Sequence, residues 1–281
     1  MAVTITDSFV KQFSGNIHDI LEREGSILLP HITKEMVTGE KAFVERLGTL
    51  DVAEIGSRHA DTVLQDPAHS RRMLQVRDYA GAVMLDHQDK VKMLIDPLNP
   101  YARKLALGMG RKVDDVIIAA ALGTAKAGEN GGTDVALPTG QKIAAGGTGL
   151  TFDKLLETKK KFLSNNYRGK IYGVITAAGL EDLLNETEIQ SFDYNSVKAL
   201  VNGEINTFMG IEFIQLEATE LVTNSKALFF GEDAIHFGMN DTLMVDIDKR
   251  PDKNNNMQVL ARHSFGCVRL EEERVVEVSF A

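Results

Sequence analysis

The chemistry open to this sequence is limited by the spacing of its reactive side chains. Cys267 and His263 are candidates for a nucleophile and its base, but they lie four residues apart in a segment with the pattern of a β-strand. At about 3.3 Å per residue their side chains would be about 13 Å apart, whereas hydrogen-bond reach is about 3 Å. The spacing therefore favours a buried structural thiol.

The acidic and imidazole side chains show no arrangement typical of a metal site. None of the seven histidines forms an HxxxH or HxH pattern, and the single cysteine excludes CxxC. A zinc site needs three or four converging ligands. Asp246 and Asp248 form a DxD motif beside the polar segment KRPDKNNN, which favours the edge of a solvated loop over a cation site. We predict no metal and no cofactor.

The segment AAGGTGLTFDK is the best candidate for a phosphate-binding loop, because Gly146, Gly147 and Gly149 precede a predicted helix. No strand clearly precedes these glycines, no GK[ST] ending follows them, and no GxGxxG register fits. The sequence favours Thr151 as the N-cap of a helix after a flexible linker. We predict no catalytic residue and no enzyme; a nucleotide-binding enzyme using residues 146–151 is the alternative.

Charge is unevenly distributed along the chain. Residues 57–112 carry ten Lys and Arg against six Asp and Glu, a balance of +4, whereas residues 181–248 carry two against fourteen, a balance of −12. Opposite patches suit contact between copies of one chain, although two differently solvated faces of a monomer would give the same pattern. The predicted inter-subunit contact residues are Arg71, Arg72, Arg77, Lys90 and Lys92.

The whole composition is that of a folded chain. It has 281 residues, 43% of them hydrophobic, and a net charge of −9, which disfavours a surface that binds nucleic acid throughout. One cysteine excludes an intrachain disulfide and fits a reducing compartment. No run approaches 18 apolar residues, and the N-terminal residues lack the pattern of a signal peptide, so we expect neither a membrane helix nor a cleaved leader.

The hydrophobic periodicity predicts helices at residues 6–24 and, more weakly, at about 34–47, within an N-terminal arm. Residues 57–95 have the pattern of a long β-hairpin, with RRMLQVRDYAGAVMLD and KVKMLI as its strands and DHQD as the turn. A two-stranded ribbon is marginally stable in water. Either the rest of the chain or another copy must cover this one.

A long helix is predicted from Asn99 and Pro100 to about Thr124, since a good N-cap and a first-turn proline precede apolar residues at three- and four-residue steps. A glycine-rich passage follows at 126–150, with a short strand expected near Asp134–Leu137. From Thr151 helices and strands alternate. Helices are predicted at TFDKLLETKKKFL, at AAGLEDLLN and near Ser196–Val201, and strands at KIYGVIT, NTFMGIEFIQL and KALFFG. The chain ends in the predicted strands TLMVDID, MQVLARHSFGCVRL and VVEVSF. The predicted class is α+β.

This order of elements, together with several local stretches, resembles the major capsid proteins of tailed phages, which have the Hong Kong 97 fold. The stretches are GEKAFVERLGTLDVAEIGSRHADT, HSRRMLQVRDY, DHQDKVKMLIDPLNPYARKLALGMGRKVDDVIIAAALGTAKAG and RHSFGCVRLEEERVVEVSF, and the similarity covers most of residues 39–281. The implied division is an N-terminal arm at 1–56, an extended loop at 57–98, a peripheral domain with a spine helix at 99–150, an axial domain at 151–240 and peripheral return strands at 241–281.

The resemblance implies a structural protein that assembles with itself, as pentamers and hexamers, into an icosahedral shell around double-stranded DNA. A portal protein is an implied partner, and a scaffold or decoration protein an optional one. The packaged DNA would touch the inner face without sequence preference, and no membrane would take part. The implied location is the virion capsid, after assembly in the host cytoplasm. An encapsulin-like compartment shell is the alternative with the same fold.

Overall fold

The structure is a computed structural model that describes residues 26–48, 64–85, 98–185, 207–216, 225–240 and 244–281, with scattered positions between 50 and 61. The α-helices are α1 Leu98–Leu122, α2 Phe152–Ser164 and α3 Ala177–Asn185. The strands are β1 Thr33–Met36, β2 Lys41–Leu47, β3 His69–Gln75, β4 Arg77–Leu85, β5 Ala125–Ala127, β6 Thr133–Val135, β7 Lys142–Ile143, β8 Ile171–Ile175, β9 Thr207–Phe208, β10 Ile211–Gln215, β11 Lys226–Gly231, β12 Ile235–Met239, β13 Met244–Arg250, β14 Asn256–Arg269 and β15 Val275–Ser279.

The body of the protein is a five-stranded sheet covered by α1. Its longest strand, β14, pairs antiparallel with β12 and β13 along one edge and with β4 along the other, and β1 extends the sheet beside β12. The buried face of α1, including Ile117 and Ile118, packs on Phe237 and Phe265 of this sheet. We call this unit the body sheet.

A six-stranded sheet in the order β7-β15-β11-β8-β10-β9 forms a second unit, the distal sheet. Its central strand β8 has the sequence IYGVI and is buried along its whole length, as expected for a continuous apolar run between two neighbours. Gly173 in this strand is needed for packing, since a Cβ there would lie 2.7 Å from the Phe229 ring. Residues Leu155 and Phe162 of α2 complete the core.

The third unit is a hairpin formed by β2 and β3, which pair antiparallel from Lys41–Gln75 to Leu47–His69. Residues 48–68 connect the two strands. At its root, β3 also pairs with β5 through Arg72 and Met73, and β5 pairs with β6. We call residues 41–75 the hairpin.

Two predictions for the N-terminal third are wrong. Residues 34–47 form strands β1 and β2 rather than a helix, because the KAFVERL segment alternates exposed and half-buried residues against β3. The segment RRMLQVRDYAGAVMLD is divided at Val76 into β3 and β4, which belong to different sheets. Strand β4 pairs with nine residues of β14, so its own chain covers it. The hairpin is therefore at 41–75 rather than 57–95.

Most predictions after residue 98 are confirmed. Helices α1, α2 and α3 and strands β8, β10, β11, β13, β14 and β15 lie where the pattern places them, and β6 occupies the expected short strand. Within 241–281, β13 and β14 lie in the body sheet and β15 joins the distal sheet, and the return of this segment to one domain stays a prediction. The helices expected at 6–24 and near 196–201, and the segment KVKMLI, lie outside the described residues.

Candidate inter-subunit surface

The outer half of the hairpin presents large apolar side chains to solvent. The exposed fractions are 70% for Leu47, 59% for Leu50, 98% for Val52 and 90% for Leu64. Single exposed apolar residues are ordinary, but four of them lie within residues 47–64, which makes this stretch the candidate contact surface. Leu47, Leu50 and Val52 were not predicted as contact residues, because β2 and residues 48–56 were assigned to an arm of helical pieces, whereas Leu64 lies in the predicted extended loop at 57–98. The period-two alternation of KAFVERL is the signal that identifies the strand leading to them.

The two adjacent arginines of β3 point to opposite faces of the hairpin, as neighbours on a strand must. Arg71 is partly exposed, and its guanidinium lies 3.3 Å from the Glu45 carboxylate on β2. Arg72 is 6% exposed and donates a 2.7 Å hydrogen bond to Glu272 of its own chain. An inter-subunit contact is therefore the wrong assignment for Arg72, because its guanidinium is buried and paired inside the subunit.

The other predicted contact residues have different outcomes. Arg77 begins β4 and is exposed. Lys90 and Lys92 lie outside the described residues. A role between subunits stays a prediction for Arg71, Arg77, Lys90 and Lys92.

Beside the middle and outer part of the hairpin, one carboxylate faces three arginines. Glu272 lies 2.7 Å from Arg72, 3.6 Å from Arg46 and 3.8 Å from Arg269. Arg269 is fully buried and donates hydrogen bonds to the carbonyls of Ala121 and Gly123 at 2.6 and 2.7 Å. Burial lowers the pKa of Arg269, whereas the negative charge of Glu272 raises it. The arginine remains charged under either influence.

The glycine-rich passage before α2 surrounds the ammonium group of Lys154, a residue of α2 in the same chain. The Lys154 ammonium is 8% exposed and donates to the carbonyls of Ala145, Thr148 and Gly149 at 2.8, 2.9 and 2.7 Å. Burial lowers the pKa of this lysine, and the Asp182 carboxylate opposes the shift.

The same passage is not arranged to bind a phosphate. The amide of Leu150 donates to Asp182 at 3.0 Å, so an incoming anion would meet a carboxylate. Gly146 and Gly147 have φ of +60° and +72°, which suits glycine, and a Cβ on Gly149 would lie 2.7 Å from the Asp182 carboxylate. The nucleotide-loop alternative is therefore contradicted, and the expected flexible linker is an ordered turn. Thr151 is the N-cap residue of α2, although its side chain makes no capping hydrogen bond.

The remaining candidates for chemistry are structural. Cys267 lies partly buried in β14, and burial raises the pKa of its thiol, the opposite of what activates a nucleophile. Asp246 forms an ion pair with Arg262 on the neighbouring strand. Within the described ranges, no three His, Cys, Asp or Glu side chains converge on a possible metal position. None of the helices described there is long and apolar enough to cross a membrane.

Comparison with known proteins places this architecture among shell proteins. Residues 5–281 match a family model described as "Phage capsid protein". The capsid of cyanophage P-SCSP1u superposes with a TM-score of 0.72 at 15% identity, covering 92% of this chain and 89% of that one. The capsid of Ralstonia phage GP4 superposes with a TM-score of 0.70 at 9% identity, covering 92% of both chains. A virus-like particle from Pyrococcus furiosus superposes with a TM-score of 0.60 at 12% identity, covering 96% of this chain and 99% of that one. No curated protein matches the chain.

Proposed function

The chain belongs to the phage capsid protein family, and on this premise we propose that its hairpin joins neighbouring copies into an icosahedral shell around a double-stranded DNA genome. The protein is a structural major capsid protein of the α+β, Hong Kong 97-like fold, not an enzyme, and it belongs in the virion capsid. The shell is built from copies of this chain. These predictions from the sequence are confirmed.

The phage shell is better supported than an encapsulin-like compartment. The family match covers nearly the whole chain and is to phage capsid proteins. The archaeal virus-like particle shares the fold, but it superposes less well than the phage capsids named above. The presence of packaged DNA rather than a cargo protein in native particles is the observation that separates the two.

The exposed apolar surface of the hairpin is the observation that carries the proposed mechanism. Burying a fully exposed side chain such as Leu or Val contributes about 1.5–3 kcal/mol, so the four residues, which together expose as much as about three full side chains, offer about 5 kcal/mol or more before the cost of association. A millimolar contact needs only about 4 kcal/mol. One such contact per copy is weak, but closed symmetry repeats it around the shell and makes the sum cooperative.

Charge supports the same arrangement. The predicted contact residues Arg71, Arg77, Lys90 and Lys92 belong to the basic region 57–112, and the acidic region 181–248 offers partners for them in an adjacent copy. A guanidinium paired with a carboxylate is directional, so such contacts would fix the register between subunits. Arg71 is 41% exposed although it already faces Glu45.

The units of the fold suggest a division of roles. The body sheet with α1 acts as the peripheral domain; it takes α1 from the predicted segment 99–150 and β13 and β14 from 241–281, and it also contains β1, β4 and β12. The distal sheet with α2 and α3, mainly from 151–240, acts as the axial domain at the centre of pentamers and hexamers. The hairpin acts as the extended loop, in place of 57–98. Residues 1–56 contain the arm and, from residue 41, the first hairpin strand.

We further propose that assembly takes place in the host cytoplasm, with a portal at one vertex and, where the phage encodes them, scaffold or decoration proteins. The inner face would contact packaged DNA without sequence preference. The net charge of −9 limits tight adhesion to that DNA.

Sedimentation velocity and negative-stain electron microscopy of the purified full chain test the proposed function. We expect large particles or discrete capsomers. A chain that stays a 30.9 kDa monomer at every protein concentration and salt concentration would refute shell formation.

A further inference from the structure

The side chain of Glu272 lies where the three units of the fold meet. It belongs to the short turn Glu272–Arg274, which connects β14 of the body sheet to β15 of the distal sheet. Its carboxylate contacts Arg72 and Arg46, which lie on the two strands of the hairpin. One carboxylate therefore links both strands of the hairpin to the connection between the other two sheets.

The contacts of Glu272 are made in a poorly solvated place. Its side chain is 13% exposed, that of Arg72 is 7% exposed and that of Arg269 is fully buried. Charged hydrogen bonds in such surroundings are screened far less than surface ion pairs. Removal of this carboxylate leaves buried guanidinium groups close together with their shared counter-charge gone.

Arg269 ties this group to the rest of the body. Besides its bonds to the carbonyls at the end of α1, its guanidinium donates to the carbonyl of Val135 in β6 at 3.0 Å. The Arg269 side chain is thus held by a helix end and a strand, and Glu272 bridges from it to Arg72. The hairpin is thus connected through one acidic side chain to Arg269, and through Arg269 to the end of α1 and to β6.

Glu272 holds the outer part of the hairpin ladder. Arg46 is the residue before Leu47 at the far end of β2, and Arg72 lies opposite Val44 in the middle of the ladder. The exposed apolar residues begin at Leu47 and continue to Leu64. Any displacement of the ladder at Arg46 therefore passes directly to Leu47 and changes where a neighbouring copy must sit to cover these residues.

We propose that Glu272 is a positioning residue that holds the hairpin at a defined angle to the body and thereby sets the curvature of the shell. The proposal rests on the proposed function, because curvature arises only when copies assemble. Glu272 itself is not required to touch a neighbouring subunit.

Glu272→Gln tests this proposal, because it removes the charge and keeps the size of the side chain. The matched control is Glu273→Gln, which changes the adjacent, exposed glutamate of the same turn. In unassembled subunits, we expect amide hydrogen exchange in residues 41–47 and 69–75 to become at least about tenfold faster in the Glu272 variant and to stay unchanged in the control. In assembled samples, we expect the Glu272 variant to form particles of broader or shifted diameter in electron micrographs.

Arg46→Gln provides a second test that does not depend on the buried pair. The Arg46 side chain is 28% exposed and lies 3.6 Å from Glu272, so its replacement leaves the core intact. We expect a smaller change of particle diameter, together with faster exchange in the hairpin. This variant decides the proposal if Glu272→Gln does not fold.

The exchange measurement and the particle diameters distinguish the possible failures of the proposal. Unchanged exchange in the hairpin overturns the positioning role, and changed exchange with the diameter distribution of the wild type overturns the link to curvature. If the wild-type chain forms no particles, the proposed function fails and the link to curvature fails with it, whereas the exchange measurement still shows whether Glu272 holds the hairpin.

Discussion

Replacing two apolar residues of the hairpin should prevent assembly without unfolding the subunit. We consider the double variant Val52→Asp with Leu64→Asp. The two side chains are 98% and 90% exposed in the single chain, so they contribute little to its stability. In the shell they would be covered by another copy, and there a carboxylate is strongly disfavoured.

The size of the effect follows from the buried area that is lost. Each side chain contributes about 1.5–3 kcal/mol when it passes from full exposure to full burial, so the pair contributes about 3–6 kcal/mol per contact. At about 1.4 kcal/mol for each tenfold change, this weakens the contact by a factor of about 100 to 10,000. The cost of burying the new charges adds to this loss.

Sedimentation velocity over a range of protein concentrations, with negative-stain micrographs of each sample, measures the outcome. We expect particles of the variant to require at least about 100-fold more protein than the wild type, with an unchanged thermal unfolding midpoint. Leu163→Asp is the control, because Leu163 is 55% exposed on α2 and lies outside the hairpin. Normal particles from the double variant at the wild-type concentration would refute the reasoning, and a lowered unfolding midpoint would show that these residues stabilise the fold instead.

Three further predictions concern the subunit itself. Lys154→Met should lower the free energy of unfolding by about 2–4 kcal/mol in urea denaturation, because three carbonyls lose a charged donor. The control Lys160→Met, at an exposed position of the same helix, should change it by less than about 0.5 kcal/mol. Equal effects of the two substitutions would contradict the proposed role of the buried ammonium. Gly149→Ala should lower the free energy of unfolding by about 1–3 kcal/mol in the same assay, because the new Cβ would displace the Asp182 carboxylate, which accepts a hydrogen bond from the Leu150 amide. An unchanged free energy of unfolding would show that the turn adapts freely. The Asp252 carboxyl should titrate with a pKa of about 2 in NMR spectra, because Arg250 donates two hydrogen bonds to it, and Arg250→Gln should return the pKa toward 3.8. The ion pair stabilises the fold above pH 3.8, and that contribution is lost as the pH falls through about 2. An ordinary pKa of Asp252 in the wild type would contradict the pairing.

The elements with a strong local pattern could be predicted from the sequence. Helix α2 follows an N-cap threonine with a clear apolar stripe, and β8 is a short, continuous apolar run, so each signal lies within its own segment. The capsid family was recognised from extended stretches rather than from a catalytic motif. The exclusion of a Cys267–His263 pair also followed from spacing alone.

The hairpin could not be predicted in the same way. In KAFVERL, Phe43, Val44 and Leu47 fit a helical stripe, whereas Ala42 and Val44 fit one face of a strand. Short segments satisfy both periods, and the pairing with β3 decides between them. Because that partner begins at residue 69, the choice depends on a contact that local pattern does not contain.

What the sequence alone determined is therefore the class of protein, the main helices and the strands of the distal sheet, because propensity, apolar period and composition act over a few neighbouring residues. Only the tertiary structure decided which of two adjacent arginines is buried. Arg71 and Arg72 are chemically identical, and Arg72 is held inside because Glu272, 200 residues further along the chain, lies on its side of the strand. About the same distance along the chain separates the hairpin from Glu272, the carboxylate that orients it. Whether a charged side chain is buried depends on the partners that the fold brings to it, and local sequence does not contain those partners.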